Sequence, residues 1–159
     1  MSFKFIRELK VGKLFGHPIH SMLVHFPSAL LPVSVIFDVL GFFSNDQVFA
    51  SSAFYTLAAG LIGGMGAAVF GAMDFYRLSP THEAWSKAGL HAVLNILWLC
   101  LFTILLGLRI KHYPQIELAT PIELIISIAG VLGLIFSNFL GGDLVFHHRL
   151  GVHEKERKK

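Results

Sequence analysis

Residues 16–43 read GHPIHSMLVHFPSALLPVSVIFDVLGFF. This stretch opens with three histidines and continues as an apolar run long enough for a helix to cross a bilayer, which needs about 20 residues. The rest of the chain has the same character, since 54% of its 159 residues are hydrophobic and only 14% are charged. Soluble domains carry roughly 25% charged residues. The natural solvent for this chain is therefore lipid.

Four segments have the length and composition of membrane spans. They cover about residues 22–43, 49–73, 88–108 and 122–140. Because the links between them are short, the spans should be antiparallel neighbours in an all-α, up-down four-helix bundle. We expect residues 1–159 to form a single transmembrane domain, with basic tails at 1–15 and 153–159.

The basic residues predict an orientation for this bundle. Four spans place eleven of the thirteen Lys and Arg residues on the side of the termini, and only Arg109 and Lys111 on the other. This bias predicts that both termini are cytoplasmic, as in a bacterial inner membrane or an equivalent one. The positive charge is therefore interpreted as a topology signal, and the expected partner is the lipid bilayer rather than nucleic acid. The single cysteine, Cys100, can form no intrachain disulfide.

Histidine is concentrated at the same end of the predicted bundle. On this topology eight of the nine histidines map to the cytoplasmic end. Four are interpreted as membrane-edge residues, whose amphipathic rings suit an interface: His17, His82, His112 and His153. By contrast, His25 and His91 lie about one turn inside the first and third spans. An ionisable side chain is costly there and indicates function.

The depth of His25 and His91 predicts a shared ligand. The first and third helices of an up-down bundle are diagonal partners, so inward residues at equal depth reach a common object from opposite sides. Two imidazoles so placed are typical of a bis-histidine haem, and we expect one haem b with these axial ligands. Asn95 lies four residues after His91 and is expected to orient that imidazole. Cations for the propionates are expected from Arg77, Lys87 and Arg149.

Three further features of the spans carry expectations. The small residues of the second span, from Gly60 to Ala72, predict either close helix packing or a slot for a flat macrocycle. Asp38, in the outer half of the first span, is expected to pair with Arg109. Pro27 and Pro32 should bend the first span just past His25.

The sequence leaves three functions open. In the leading interpretation, the protein is a small b-type haem protein that carries electrons near the cytoplasmic face. Its candidate partners are quinone, a redox subunit or a second copy, and an electron-transfer role is favoured over a stand-alone enzyme. In the second, a non-haem transition metal is held by His20, His25, His91 and His148. In the third, the chain is a structural subunit without cofactor, whose histidines hydrogen-bond across helix ends.

Four motifs also carry a family resemblance: GHPIHSMLVHFP, DFYRL, HAVLN and GGDLVFHHRLGV. Together they resemble the family named domain of unknown function 2231, over about residues 16–152. The resemblance implies a four-helix membrane protein and importance for nine residues: His17, His20, His25, Asp74, His91, Asn95, Gly141, Gly142 and His148. Two positions depart from the family pattern. Ser21 stands where a proline is expected, and Arg149 stands where a glycine is expected, with His148 matching the family histidine.

Overall fold

The computed structural model of the protein describes residues 3–151, with side chains from residue 5 onward. Residues 1–2 and 152–159 lie outside this range, and so do the predicted tail at 153–159 and His153. The elements in chain order are α1 (Phe3–Lys10), β1 (Lys13–Leu14), β2 (His17–Pro18), α2 (Ile19–Leu23), α3 (His25–Ser44), α4 (Gln47–Arg77), α5 (Trp85–Arg109), a short 3₁₀ turn (Ile110–His112) and α6 (Pro121–Phe146).

Four helical segments are long and apolar enough to cross a membrane, as the sequence predicts. They run over Ile19–Ser44, Gln47–Arg77, Trp85–His112 and Pro121–Phe146. Each extends beyond its predicted bounds, because polar residues continue the helices past the apolar runs. The added turns contain His20, Asp74, Arg77 and Asp143.

The four spans pack as an up-down bundle, which confirms the predicted fold class. Helix α3 packs against α4 and α6, and α5 packs against the same two helices, so α3 and α5 are diagonal. The core consists of interlocked apolar side chains from all four spans, among them Leu31, Leu57, Leu61, Phe102 and Leu134. Large apolar side chains also cover the outside of the spans, which is the surface that lipid solvates.

The helix of the first span is interrupted at Val24, just before His25, and the predicted bend just past His25 stays a prediction. Pro27 has no N–H to donate to the carbonyl of Leu23, and its ring would crowd that carbonyl. The chain therefore leaves α2 at Leu23, turns at Val24 and starts α3 at His25. Pro32 lies inside the continuous α3.

The small residues of α4 serve close helix packing. A Cβ atom added at Gly60 would lie 2.9 Å from the Leu31 side chain, and one at Gly63 would lie 2.3 Å from that of Phe26. The packing interpretation of this stretch is thus confirmed. At Gly60 and Gly63 side chains of α3 occupy the space beside α4, and the alternative of a slot for a macrocycle stays a prediction.

The helix ends follow from local sequence. Asp46 caps α4 by accepting a hydrogen bond from Val48 N–H at 2.9 Å. At α6, Thr120 and Glu123 form a reciprocal capping box with Pro121 in the first turn. Past α6, Arg149 has a φ of +54°. This left-handed conformation is the one that a glycine would adopt without steric cost.

Candidate functional site

His20 is turned into the bundle at the end where the first span begins. Its Nδ1 lies 2.8 Å from the backbone oxygen of Ala67 in α4. One helical turn further along α4, the ring lies against Gly71, where an added Cβ atom would be 2.8 Å from Cε1 of His20. A backbone carbonyl thus fixes the imidazole, and a missing side chain makes room for it.

His91 makes the same pair of contacts on the other half of the bundle. Its Nδ1 lies 2.9 Å from the backbone oxygen of Ser137 in α6. Its ring lies against Gly141, where an added Cβ atom would be 2.8 Å from Cε1 of His91. The acceptor and the glycine are again four residues apart on one helix.

Asn95 lies beside His91 and links α5 to α6. Its amide donates to the backbone oxygen of His91 at 2.8 Å and to Oγ of Ser137 at 2.8 Å. The same nitrogen is 3.2 Å from both ring nitrogens of His91. Equal distances place the amide over the face of the ring, so neither ring nitrogen has Asn95 as an end-on partner.

The two histidine sites form an internal repeat in structure. In each half, a histidine at the start of one span contacts a carbonyl and a glycine late in the next span. His20 and His91 are close enough to interact electrostatically. The two imidazoles therefore occupy equivalent positions at the same end of the bundle.

Charged groups surround His20 on one side of this region. Asp74, one turn after Gly71, interacts electrostatically with His20 and with Lys13. Arg77 lies 3.9 Å from Asp74, and its Nη2 donates to the backbone oxygen of Lys10 at 2.5 Å. Arg77 therefore links α4 to the N-terminal segment.

A second charged network lies beside the His91 half. Lys87 and His147 both donate to Asp143. His148 donates from Nδ1 to Glu83 at 2.9 Å, and its Nε2 lies 3.4 Å from Nζ of Lys87. The network connects the start of α5, the end of α6 and the link between α4 and α5.

His25 has a different position from the other two span histidines. It is exposed on the surface of α3, and its Nδ1 lies 3.2 Å from the backbone oxygen of Met22. His20 contacts α4 at Ala67 and Gly71, whereas the hydrogen bond of His25 is local to its own segment.

The histidines interpreted as membrane-edge residues have local roles. His82 accepts a hydrogen bond from Ala84 N–H at 3.1 Å at the start of α5. His112 is 3.2 Å from Glu117, and His17 is exposed in β2. Among residues 3–151, no group of three or more His, Cys, Asp or Glu side chains is arranged to hold a metal ion.

The sequence analysis named His20 as a ligand only in the non-haem metal alternative, because His20 precedes the apolar run. One signal in the sequence points to its role. The ring contacts pair His20 with Ala67 and Gly71, and they pair His91 with Ser137 and Gly141. The two sets are thus offset by about 70 residues along the chain, which an internal comparison of the two halves would reveal.

The fold and the position of the histidines define a small four-helix integral membrane protein with a polar site at one end. The profile of the family described as a predicted membrane protein (DUF2231) matches residues 16–154. The chain belongs to this family, as its four motifs indicate. A search of curated proteins gave no match, and a search of solved structures gave none either.

Proposed function

We propose that the protein is a small b-type cytochrome of the membrane, with His20 and His91 as the axial ligands of one haem. The observation that carries the proposal is the shared contact of the two rings, each with Nδ1 on a backbone carbonyl. Haem would supply one-electron redox chemistry. The chain's own residues supply binding, orientation and burial.

The hydrogen bonds select the tautomer that binds iron. A backbone carbonyl only accepts, so Nδ1 of each ring carries the proton and donates it. The lone pair is then on Nε2 of both His20 and His91. Ligating histidines in proteins are held in this way, with the other ring nitrogen bonded to a carbonyl or carboxylate.

The number of ligands favours haem over a non-haem metal. Structural zinc sites take four protein ligands, and catalytic ones take three. The described residues contain no such cluster, whereas a haem takes only two axial ligands from the chain. The set His20, His25, His91 and His148 is therefore the weaker proposal, since His25 is exposed and His148 is bonded to Glu83.

The surroundings fit a cofactor near one membrane face. The positive-inside bias assigns the His20–His91 end to the cytoplasm. Lys87 lies on that side, where a propionate would be near water. Electrons would be exchanged there with quinone or with a partner redox subunit.

The structural-subunit alternative rests on the same hydrogen bonds, because each ring also ties two helices together.

A haem titration distinguishes the cytochrome proposal from the structural alternative. The purified protein in nanodiscs is titrated with haemin, reduced with dithionite and scanned. We expect saturation at one haem per chain, with a sharp α-band and a low-spin Soret band. Unsaturable, high-spin binding would overturn the cytochrome proposal and leave the structural role.

A further inference from the structure

We propose that α1 and the hairpin of residues 13–18 form an interfacial anchor that lies on anionic lipid headgroups, with Phe15 inserted among the acyl chains. The inference concerns the N-terminal segment and does not depend on a cofactor. It rests on the shape of the hairpin, the apolar surface around it and the charges beside that surface.

The hairpin presents an aromatic side chain at its tip. Strands β1 and β2 pair Lys13 with Pro18 and Leu14 with His17, which leaves Phe15 and Gly16 as a two-residue turn. Both have positive φ, +50° and +82°, and such turns normally take Asn, Asp or Gly at the first position. Here that position holds a phenylalanine that is 76% exposed.

The hairpin lies where the chain enters the membrane. Strand β2 leads directly into the first span at Ile19. The N–H of Ile19 donates to the backbone oxygen of Gly12 at 2.9 Å, which ties the base of the hairpin to the start of the span. Its tip therefore cannot be far from the bilayer surface.

The apolar surface continues from the hairpin onto α1. The rings of Phe5 and Phe15 are 6.2 Å apart between centroids. Ile6 and Val11 are 44% and 42% exposed. An exposed apolar surface of this kind on a short helix is buried when the helix lies in the membrane interface.

Basic side chains accompany this surface. Arg7 and Lys10 are exposed in the last turn of α1, and Lys13 follows at the start of β1. An apolar face beside Lys and Arg is typical of helices that lie on anionic membranes. Nη2 of Arg77 donates a hydrogen bond to the backbone oxygen of Lys10. This bond joins the anchor to α4, the helix that His20 contacts.

Fluorescence quenching tests the insertion of the tip. Phe15→Trp is made in a Trp85→Phe, Trp98→Phe background and placed in nanodiscs that contain anionic lipid. Apolar faces at interfaces are buried about 5–10 Å into the headgroup and acyl boundary. Lipid brominated near the headgroup end of the acyl chain should therefore quench the Trp emission more strongly than aqueous iodide does.

The matched control is Thr81→Trp in the same background. Thr81 is exposed in the link between α4 and α5 at the same end of the bundle, and its Trp should be quenched by iodide and not by brominated lipid. Equal iodide quenching at both positions would overturn the proposal. If the Trp-free background does not fold, a nitroxide at Phe15→Cys in a Cys100→Ser chain reports the same depth.

The charge component has its own test. Changing Arg7→Gln and Lys10→Gln together should reduce quenching at position 15 in nanodiscs with anionic lipid. The same change should have little effect in purely zwitterionic nanodiscs. Loss of quenching only in the anionic discs supports the proposed partner. An equal effect in both lipids would contradict a role for anionic headgroups.

Discussion

Asp38 and Arg109 form a two-point ion pair between the diagonal helices α3 and α5. Nη1 of Arg109 donates to one carboxylate oxygen at 2.9 Å, and Nη2 donates to the other at 2.8 Å. The two side chains are only 3% and 6% exposed. The pair closes the end of the bundle opposite to the histidines, as the sequence predicts.

Removing one partner of this ion pair should lower the stability of the protein strongly, whereas replacing both partners with apolar residues should lower it little. Removing one partner leaves an uncompensated buried charge, which costs about 3–5 kcal/mol. We expect Arg109→Met or Asp38→Leu alone to destabilise by about that amount. The double variant should recover most of the loss, since Nε of Arg109 already has no acceptor among the described residues. Unfolding equilibria in lipid-containing micelles give the free energy of unfolding for the two single variants and the double variant, which form a double-mutant cycle.

The control for this cycle is the exposed pair of Asp74 and Arg77, at 3.9 Å. Exposed pairs contribute about 0–1 kcal/mol. An Arg77→Gln loss as large as that of Arg109→Met would show that burial does not decide the cost.

The glycine beneath His91 should be sensitive to a single methyl group. In Gly141→Ala the new Cβ would lie 2.8 Å from Cε1 of His91, whereas at Gly142 nothing lies within 4 Å. We expect Gly141→Ala to displace the ring and weaken haem binding, with Gly142→Ala unchanged. Haem titration of both variants checks this. Equal affinities for the two would mean that the ring does not need its position on Gly141.

Asn95 should affect haem binding through its contact with His91. Losing a group that orients a ligand typically costs about 10–100-fold in affinity or activity, so Asn95→Ala should weaken haem binding by about that factor. The control is Asn138→Ala, because the side chain of Asn138 donates to Oγ of Ser28 at 3.1 Å rather than to a group that holds His91. A loss of similar size in the control would indicate a general effect on the bundle.

The capping box of α6 should contribute to the stability of the protein and not to haem binding. Thr120→Ala removes the side-chain cap and should cost about 1 kcal/mol, with the haem spectrum unchanged. Thr103→Ala is the comparison, since its hydroxyl donates to the backbone oxygen of Leu99 within α5 and caps nothing. Thermal unfolding of the two variants measures the difference. Equal stability losses would contradict the cap.

The orientation can be tested directly. On the four-span topology, the sequence predicts eleven of the thirteen Lys and Arg residues on the side of the termini. A reporter active only in the cytoplasm should work at the C-terminus and fail when inserted at Asn45–Asp46. The reverse pattern would move the His20–His91 site to the other face.

The fold could be predicted because its determinants are local. Apolar runs of span length, short links and the capping box at Thr120 each specify their element without long-range information. The partner of Asp38 was also predictable, because few cations are available at that depth.

The inner geometry of the site could not be predicted in the same way. The sequence predicted His25 as a ligand together with His91 only from the depth of the two residues in their spans. In the structure the side chain of His25 is exposed, and its role as a ligand stays a prediction. The two carbonyl contacts depend on the register between neighbouring helices, which hydropathy does not specify.

The haem spectra of His20→Ala, His91→Ala and His25→Ala show which histidines bind the iron. We expect the first two variants each to lose the low-spin spectrum or become high-spin, because each removes a histidine that would hold the haem. His25→Ala should keep the low-spin spectrum and one haem per chain. Low-spin haem in a His20→Ala, His91→Ala double variant would contradict the account. Loss of the spectrum in His25→Ala, with His20→Ala unchanged, would return the ligand role to His25.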